Sequence, residues 1–294
     1  MLTAGWGGLF MNYTDVSYGY ASYANKYKQY NYAANLMIIN YGKIPATDEK
    51  GNSLGNTMAS EYVVQFGASE PINQYLRYGV SVKPIISYLA DYSSYALAGD
   101  VGLTLHDSAN NTTLSLVARN AGFQIKPYYK GNREKLPLEV DFGYTKRFAH
   151  APFRFSVTYR HLQQFDMSYK STLNDNDATF IKQTETDDSK FTTFTKHFAR
   201  HLVFGAELLL SKKFYLAFGY NVKRKQELAL SSKKGMVGLT YGFGLTISKC
   251  NISVGHQEYS LAGGTTTFTL KTNIADLMRP LITKRKEQQT SKVE

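Results

Sequence analysis

The sequence predicts an all-β fold, a transmembrane antiparallel β-barrel of about 14 strands, and three observations lead to that expectation. Apolar and small or polar residues alternate over segments of about ten residues, the length of a tilted strand that crosses a bilayer. Strands of soluble sandwiches are usually about five or six residues long. Short and long connections alternate along the chain, and tyrosines collect near the strand ends.

The segment from Met236 to Ser248 shows the alternation most clearly. Val237, Leu239 and the following odd-numbered residues are large and apolar, whereas the even-numbered positions hold glycine, threonine and serine. A strand sends alternate side chains to opposite faces, so this segment has one apolar face and one small, polar face. The polar face suits the lumen of a barrel better than a soluble core.

The remaining strands follow from the same pattern. Those of the first half are Trp6 to Asn12, Val16 to Ala24, Tyr32 to Tyr41, Glu61 to Ala68, Leu76 to Tyr88, Tyr95 to Leu105 and Thr113 to Asn120. Those of the second half are Leu136 to Thr145, Phe153 to Arg160, Leu202 to Leu210, Phe214 to Val222, Met236 to Ser248, Ile252 to Tyr259 and Thr266 to Ile274.

The connections differ in length according to their parity. When the connections are numbered in order along the chain, every even-numbered connection is short. The long ones, 43–57, 121–135 and 162–198, are all odd-numbered. Outer-membrane barrels have short periplasmic turns and longer outer loops, whereas a soluble sandwich gives no reason for such parity. An even strand count also places both termini of the chain on the periplasmic side. The domain prediction is a barrel over residues 1–275 and a polar tail over residues 276–294. Because no signal peptide precedes the first strand, an N-terminal segment is expected to be missing.

Composition excludes several other classes. The formal net charge is +11, but lysine and arginine are scattered over loops and polar strand faces, so nucleic acid is not an expected partner. Cys250 is the one cysteine, which excludes a disulfide framework and a thiolate metal site. His197 and His201 have helical i, i+4 spacing, but they are interpreted as part of a loop-to-strand junction with no third ligand. No catalytic motif, metal site or cofactor is predicted, and the protein is not expected to be an enzyme.

Charged residues lie on the polar parity of several strands. Glu139 and Asp141 share a face with Arg154 and Arg160, and Glu207 lies on the polar face of a later strand. Together with Lys83 and Arg119 they predict a ladder of ion pairs lining the lumen. A narrow or plugged lumen stabilised by charge pairs and a selectivity filter are both compatible with this ladder, and the first is favoured.

Tyrosines are interpreted as interfacial girdles on the apolar parity. The girdle residues are Tyr18, Tyr20, Tyr62, Tyr78, Tyr88, Tyr95, Tyr144, Tyr159, Tyr220 and Tyr241.

Several co-linear stretches resemble one protein family. They are Ile39-Asn40-Tyr41-Gly42 with Asp48 to Asn52, Ser115 to Gly122, Lys126-Pro127-Tyr128 with Gly131 to Glu134 and Leu136-Pro137, His150 to Ser156 and, more weakly, Leu261 to Gly264. In this order they resemble the PorQ family of the type IX secretion system of the Bacteroidota. The resemblance implies a FadL/PorV-like barrel of fourteen strands in the bacterial outer membrane. It also implies an attachment complex with a PorV-like barrel, a PorU-like sortase and a PorZ-like surface protein, acting on lipopolysaccharide.

Two functions follow as expectations. The first is a non-enzymatic anchor that holds a surface partner through its outer loops. The candidate contacts, chosen because tyrosine and arginine dominate interfaces, are Tyr128, Tyr129, Lys130, Asn132 and Arg133. The alternative is a FadL-like transporter of hydrophobic small molecules. A gap in the barrel wall together with an apolar lumen pocket would favour the transporter, and the charged ladder argues mildly against it.

Overall fold

The computed structural model describes residues 1–9, 15–165, 190–228, 235–260 and 263–274. These residues form fourteen antiparallel strands and two short helices. The strands of the first half are β1 (Leu2–Leu9), β2 (Ser17–Tyr27), β3 (Tyr30–Thr47), β4 (Ser53–Pro71), β5 (Leu76–Leu89), β6 (Tyr92–Asp107) and β7 (Thr112–Lys126). Those of the second half are β8 (Glu139–Arg147), β9 (Phe153–Tyr159), β10 (Leu202–Leu208), β11 (Phe214–Asn221), β12 (Leu239–Ile247), β13 (Cys250–Ser260) and β14 (Gly263–Thr272).

Each strand pairs with its neighbours in sequence, and β14 returns to pair with β1. The sheet is therefore closed, which confirms the predicted fold class. Closure removes the free sheet edges that would otherwise expose unpaired backbone groups to lipid. The predicted tail over residues 276–294 lies outside the described residues.

The two faces of the wall differ as the alternation predicts. Val80 and Val101 are paired across β5 and β6, point outward and are each 51% exposed. Their neighbours Ser81 and Asp100 form the next pair, point inward and are joined by a hydrogen bond of 2.9 Å. Exposed leucine, valine, phenylalanine and tyrosine recur on the outward parity of the other strands. An apolar exterior around a polar interior is the surface pattern of a membrane-spanning barrel.

The two ends of the barrel have different connections. The turns at 28–29, 72–75, 108–111, 148–152, 209–213 and 248–249 all lie at one end, which we call the short-turn end. The backbone carbonyl of Ala24 accepts a hydrogen bond of 2.6 Å from the amino group of Met1, so β1 begins at this end. Thr272, at the close of β14, lies there too and pairs with Cys250. The opposite end carries both helices and the longer connections, and we call it the long-loop end.

The wall is tallest over β3 to β7. These five strands have 14 to 19 residues, whereas β8 to β12 have 7 to 9. The pairing of β2 with β3 stops at Asn40 and that of β5 with β4 stops at Ala59, yet β3 and β4 stay paired to Thr47 and Ser53. Residues 41–58 therefore project beyond the rim as a two-stranded ribbon, the rim hairpin. The prediction of a loop over 43–57 was wrong, because only 48–52 form a turn.

Two further connections also differ from prediction. Residues 121–126, expected in a loop, continue β7. The segment around His197, expected to be a junction, forms helix α1 (Lys190–Arg200), and helix α2 (Val222–Leu228) follows β11 directly. Neither helix of the described chain has the length and apolarity needed to span a membrane.

Two tyrosines assigned to the girdle face the lumen instead. The Tyr18 and Tyr20 rings lie across Gly7 and Gly5 of β1, where an added Cβ would come within 2.5 Å and 2.4 Å of ring carbons. The Tyr20 hydroxyl is 2.6 Å from the Thr269 hydroxyl, and the Tyr18 hydroxyl is hydrogen-bonded to Thr267 in the same way. Rings that cover glycines from the inside pack this part of the lumen.

Candidate functional site in the barrel lumen

A first charged group lies toward the long-loop end of the lumen, on β7, β8 and β9. Asp141 is 6% exposed and forms an ion pair with Arg119, whose guanidinium also lies 3.8 Å from Glu139. Arg160, which directly follows β9, donates from Nε to Glu139 at 2.7 Å. The structure thus joins four of the residues predicted for the ladder, Arg119, Glu139, Asp141 and Arg160. Both carboxylates have cationic partners, which offsets the cost of removing them from bulk water.

A second charged group centres on Asp100 of β6. The ammonium of Lys83 lies 2.6 Å from Asp100, and the two side chains are only 12% and 14% exposed. The carboxylate also accepts hydrogen bonds from Gln65 at 3.0 Å and from the backbone N–H of Asn120 at 2.9 Å. Asn120 has a φ of 60° and lies beside an irregularity in the β6–β7 pairing. Asp100 therefore holds this bulge in place from the lumen side.

The third group is a single pair near the short-turn end. Arg154 of β9 and Glu207 of β10 face each other across the ladder, with 3.0 Å between guanidinium and carboxylate. Their side chains are 39% and 34% exposed. The charges predicted as one ladder are thus separated into groups at different depths of the lumen.

The wall is interrupted beside the second group. The β4–β5 ladder pairs Val63 with Ile85 and then Phe66 with Val82, and it omits the two positions between them. One of the unpaired positions on β5 is Pro84, which has no N–H to donate. On its other side Pro84 keeps its partner Leu97 of β6, so the interruption is confined to the β4–β5 seam.

Two cavities lined by described residues open into the lumen. The outer cavity, near the long-loop end, has a volume of about 350 Å³ and is lined by Arg119, Asp141, Thr158, Arg160, Val203, Gly219, Tyr220, Asn221, Arg224, Thr240 and Gln257. The inner cavity, of about 770 Å³, lies at the short-turn mouth beside Arg154, Glu207, Lys249 and Lys271. Both linings are rich in charged and polar groups, and the apolar pocket that would favour the transporter is not among them.

Arg224 is the main residue of the outer cavity that the sequence did not predict. It belongs to α2, and its guanidinium lies 4.0 Å from the centre of the Tyr259 ring. Its backbone N–H donates to the Asn221 side chain at 3.0 Å, and the neighbouring Lys225 donates to the Gly235 carbonyl at 2.7 Å. These contacts hold α2 at the long-loop end of the lumen. The only sequence signal for Arg224 is a run of basic residues between the predicted strands Phe214 to Val222 and Met236 to Ser248.

The five candidate partner contacts do not all lie on the surface. Tyr129 is 71% exposed, and Lys130, Asn132 and Arg133 are exposed as well. Tyr128 instead turns inward, where its hydroxyl is hydrogen-bonded to Ser87 of β5. It secures the loop to the tall wall, so its assignment as a surface contact does not fit its position.

The tip of the rim hairpin is organised by Asp48. Its carboxylate accepts from the side chain of Asn52 at 2.8 Å and from the backbone N–H groups of Asn52 and Lys50 at 2.8 Å and 2.9 Å. The side-chain bond from Asn52, followed by the backbone bonds, holds the pKa of Asp48 below its usual value. The tip is therefore an ordered turn.

The buried histidine His201 is held by hydrogen bonds and ring stacking. His201 is fully buried, and its ring nitrogens lie 2.6 Å from the Arg160 carbonyl and 2.9 Å from that of Phe165. Its ring also stacks on Tyr159 with centroids 4.6 Å apart. Within the described ranges no three histidine, cysteine or acidic side chains cluster as a metal site. His201 thus ties α1 to the rim at β9.

The closed strand order, the apolar exterior and the charged lumen together define an outer-membrane-type β-barrel. Comparison with solved structures finds similar barrels of low sequence identity. The toluene transporter TodX of P. putida is 10% identical with a TM-score of 0.49, over 92% of this chain and 86% of that one. A FadL homologue of Pseudomonas aeruginosa is 9% identical with a TM-score of 0.44, over 92% and 88%. The CymD monoaromatic hydrocarbon channel is 10% identical with a TM-score of 0.44, over 92% and 86%. No family model and no curated protein matches the sequence.

Proposed function

We propose that this chain is a bacterial outer-membrane transporter that admits a small, partly hydrophobic molecule through its barrel. The observation that carries the proposal is the interrupted β4–β5 seam at Pro84, next to the charged group of Lys83 and Asp100. Missing backbone pairs weaken a closed wall, so a lateral opening costs less at this seam than at a fully paired one. The outer cavity of about 350 Å³ lies within the size range of small-molecule sites, roughly 300 to 1,000 Å³.

The charged lining specifies which part of such a molecule the lumen accepts. An apolar body leaves through the wall into lipid, while a polar end stays among the lumen side chains. The proposed substrate is therefore amphipathic. The alternative expected from the sequence, a transporter of hydrophobic small molecules, is thereby narrowed, because most residues that line the two cavities are polar or charged.

The test is uptake of radiolabelled octanoate and toluene by Gram-negative cells that lack their own transporters for these compounds. Pro84→Val restores an N–H and a strand-forming residue at the seam, and we expect it to slow uptake several-fold. The matched control is Pro45→Val, which changes a proline of the rim hairpin and should leave uptake unchanged.

A second pair of variants tests the cavity. Gly219 faces the outer cavity, and an added Cβ there meets no atom closer than 3.5 Å, so Gly219→Trp directs a large side chain into the cavity. Phe218→Trp is its control, because Phe218 points outward and is 51% exposed. If cells with the wild-type barrel take up neither compound faster than cells without it, at equal amounts in the membrane, the transporter proposal is wrong.

A second candidate function, the surface anchor, is favoured by the rim hairpin. Among the described residues the ladders with β2 and β5 end at Asn40 and Ala59, and the outward residues Leu54 and Met58 are 68% and 67% exposed. Exposed strand edges and apolar side chains beyond the rim are features that bind other proteins. The resemblance to the PorQ family supports a PorZ-like surface protein as the partner, with PorU-like and PorV-like proteins in the same complex.

The anchor is tested by purifying the tagged full-length protein from gently solubilised outer membranes. Replacing residues 44–56 by a tight turn removes the rim hairpin, and the double change Tyr129→Ala with Arg133→Ala removes the exposed loop contacts. We expect each variant to lose a surface protein that the wild type retains, with the barrel still folded. If both variants recover as much of that surface protein as the wild type does, the anchor proposal is contradicted.

A further inference from the structure

The outer lumen cavity has a surplus of guanidinium groups. Arg119, Arg160 and Arg224 all line it. The first two have carboxylate partners in Asp141 and Glu139. Among the described residues no carboxylate forms an ion pair with Arg224, and its Nη1 atom is buried without a hydrogen-bond partner. A buried guanidinium N–H without an acceptor is unfavourable, so the site favours an additional acceptor.

Neutral groups complete the cavity lining. The side chains of Thr158, Thr240 and Gln257 come from three different strands. Hydroxyl and amide groups of this kind can donate hydrogen bonds to the oxygens of an anion. The planar donor arrangement of a guanidinium also matches the two oxygens of a carboxylate or phosphate.

We propose that the outer cavity binds an oxyanion, a carboxylate or phosphate group, with Arg224 as its principal contact. This inference rests on the proposed function and deepens it, because it names the polar end of the transported molecule. The Tyr259 ring packs against the Arg224 guanidinium. The bond from the Arg224 backbone N–H to Asn221 holds this residue at the level of the outer cavity. A cavity of about 350 Å³ leaves room for the anionic group and a short chain.

The test is isothermal titration of the purified full-length barrel in a neutral detergent with sodium octanoate, sodium phosphate or octanol. We expect saturable binding of octanoate and at least tenfold weaker binding of octanol. Arg224→Gln should weaken octanoate binding roughly tenfold or more, the size of one lost charged hydrogen bond. Arg224→Lys keeps the charge but loses the planar pair of donors, so it should bind octanoate more weakly than the wild type and more tightly than Arg224→Gln.

Lys212→Gln is the charge-matched control, since it removes an exposed cation at the short-turn end. If both octanoate and phosphate bind, the oxyanion alone is sufficient for binding. If octanoate binds and phosphate does not, the ligand is an anionic amphiphile. If octanol binds as tightly as octanoate, or if Arg224→Gln and Lys212→Gln have equal effects, the oxyanion site is refuted. The titration measures binding and not transport. A lack of uptake in cells would therefore contradict the transporter proposal without deciding whether the oxyanion site exists.

Discussion

Removal of the Asp100 carboxylate is the perturbation whose effect follows most directly from the contacts. In the folded barrel this carboxylate accepts from Lys83, Ser81, Gln65 and the backbone N–H of Asn120, over distances of 2.6 to 3.0 Å. Asp100→Ala leaves the Lys83 ammonium, whose side chain is 12% exposed, with the Asn120 side chain as its remaining partner at 2.6 Å. The backbone N–H of Asn120 loses its acceptor as well.

The magnitude follows from what remains buried. Breaking a buried pair by removing one partner costs about 3–5 kcal/mol, because the other charge stays uncompensated. Lys83→Met should cost less, about 1–3 kcal/mol, since the carboxylate keeps three donors. The double variant Asp100→Ala with Lys83→Met should cost less than Asp100→Ala alone, because no unpaired ammonium remains. The expected coupling between the two positions is therefore at least about 1–3 kcal/mol.

The assay is guanidinium-induced unfolding of the barrel in phospholipid vesicles, followed by the fluorescence of Trp6, which is the chain's one tryptophan and faces outward. The unfolding midpoint should fall while the slope stays constant. A loss below about 1 kcal/mol for Asp100→Ala, or strictly additive effects in the double variant, would refute the account of this group.

Three other predictions concern the outer face, the inner packing and the hairpin tip. Val101→Arg places a charge at the apolar belt and should lower the free energy of unfolding by about 2–4 kcal/mol in the same assay. Gly7→Val brings a side chain into the space of the Tyr18 ring and should cost about 1–3 kcal/mol. Asn52→Ala should raise the pKa of Asp48 toward its usual value in an NMR titration. Because that pKa is lowered in the folded protein, the stabilisation of the tip is present at neutral pH and is lost as the pH falls through the folded pKa.

Each of these predictions has a control. Leu54→Arg puts the same charge on the rim hairpin, beyond the membrane, and should change stability by less than about 0.5 kcal/mol. Tyr18→Ala should relieve most of the cost of Gly7→Val, and an additive double variant would show that ring and glycine do not pack together. Lys50→Ala keeps its backbone N–H, so an equal rise in the Asp48 pKa would contradict the dominant role of the Asn52 side chain.

Much of the wall could be predicted from the sequence, because the alternation of apolar and polar residues along a strand shows which side chains face lipid and which face the lumen. The parity of β6 assigns Val101 to lipid and Asp100 to the lumen without any knowledge of neighbouring strands. Hairpin connectivity then sets which strands pair, so Arg154 and Glu207 meet across β9 and β10.

The features that the sequence did not reveal depend on more than one strand. Tyr18 and Tyr20 alternate with small residues, and only the glycines of β1 across the ladder make room for their rings inside. The polar composition of residues 43–57 predicts a loop, yet β3 and β4 stay paired as far as Thr47 and Ser53, because their mutual backbone bonds override weak local strand propensity.

The outer cavity required the fold as well. Arg224 lies in a segment whose basic residues give no period-two pattern, so nothing local indicated that α2 would place it at the lumen. Its relation to Thr158 and Gln257 exists only once the barrel is closed.

The central claim, that the lumen holds a small molecule with an anionic end, is tested most directly by native mass spectrometry of the full-length protein extracted gently from outer membranes. The account predicts a co-purifying small anionic amphiphile that is depleted by Arg224→Gln and by Gly219→Trp and retained by Phe218→Trp. A barrel recovered with a surface protein and no small molecule, or a molecule retained equally by all three variants, would contradict it.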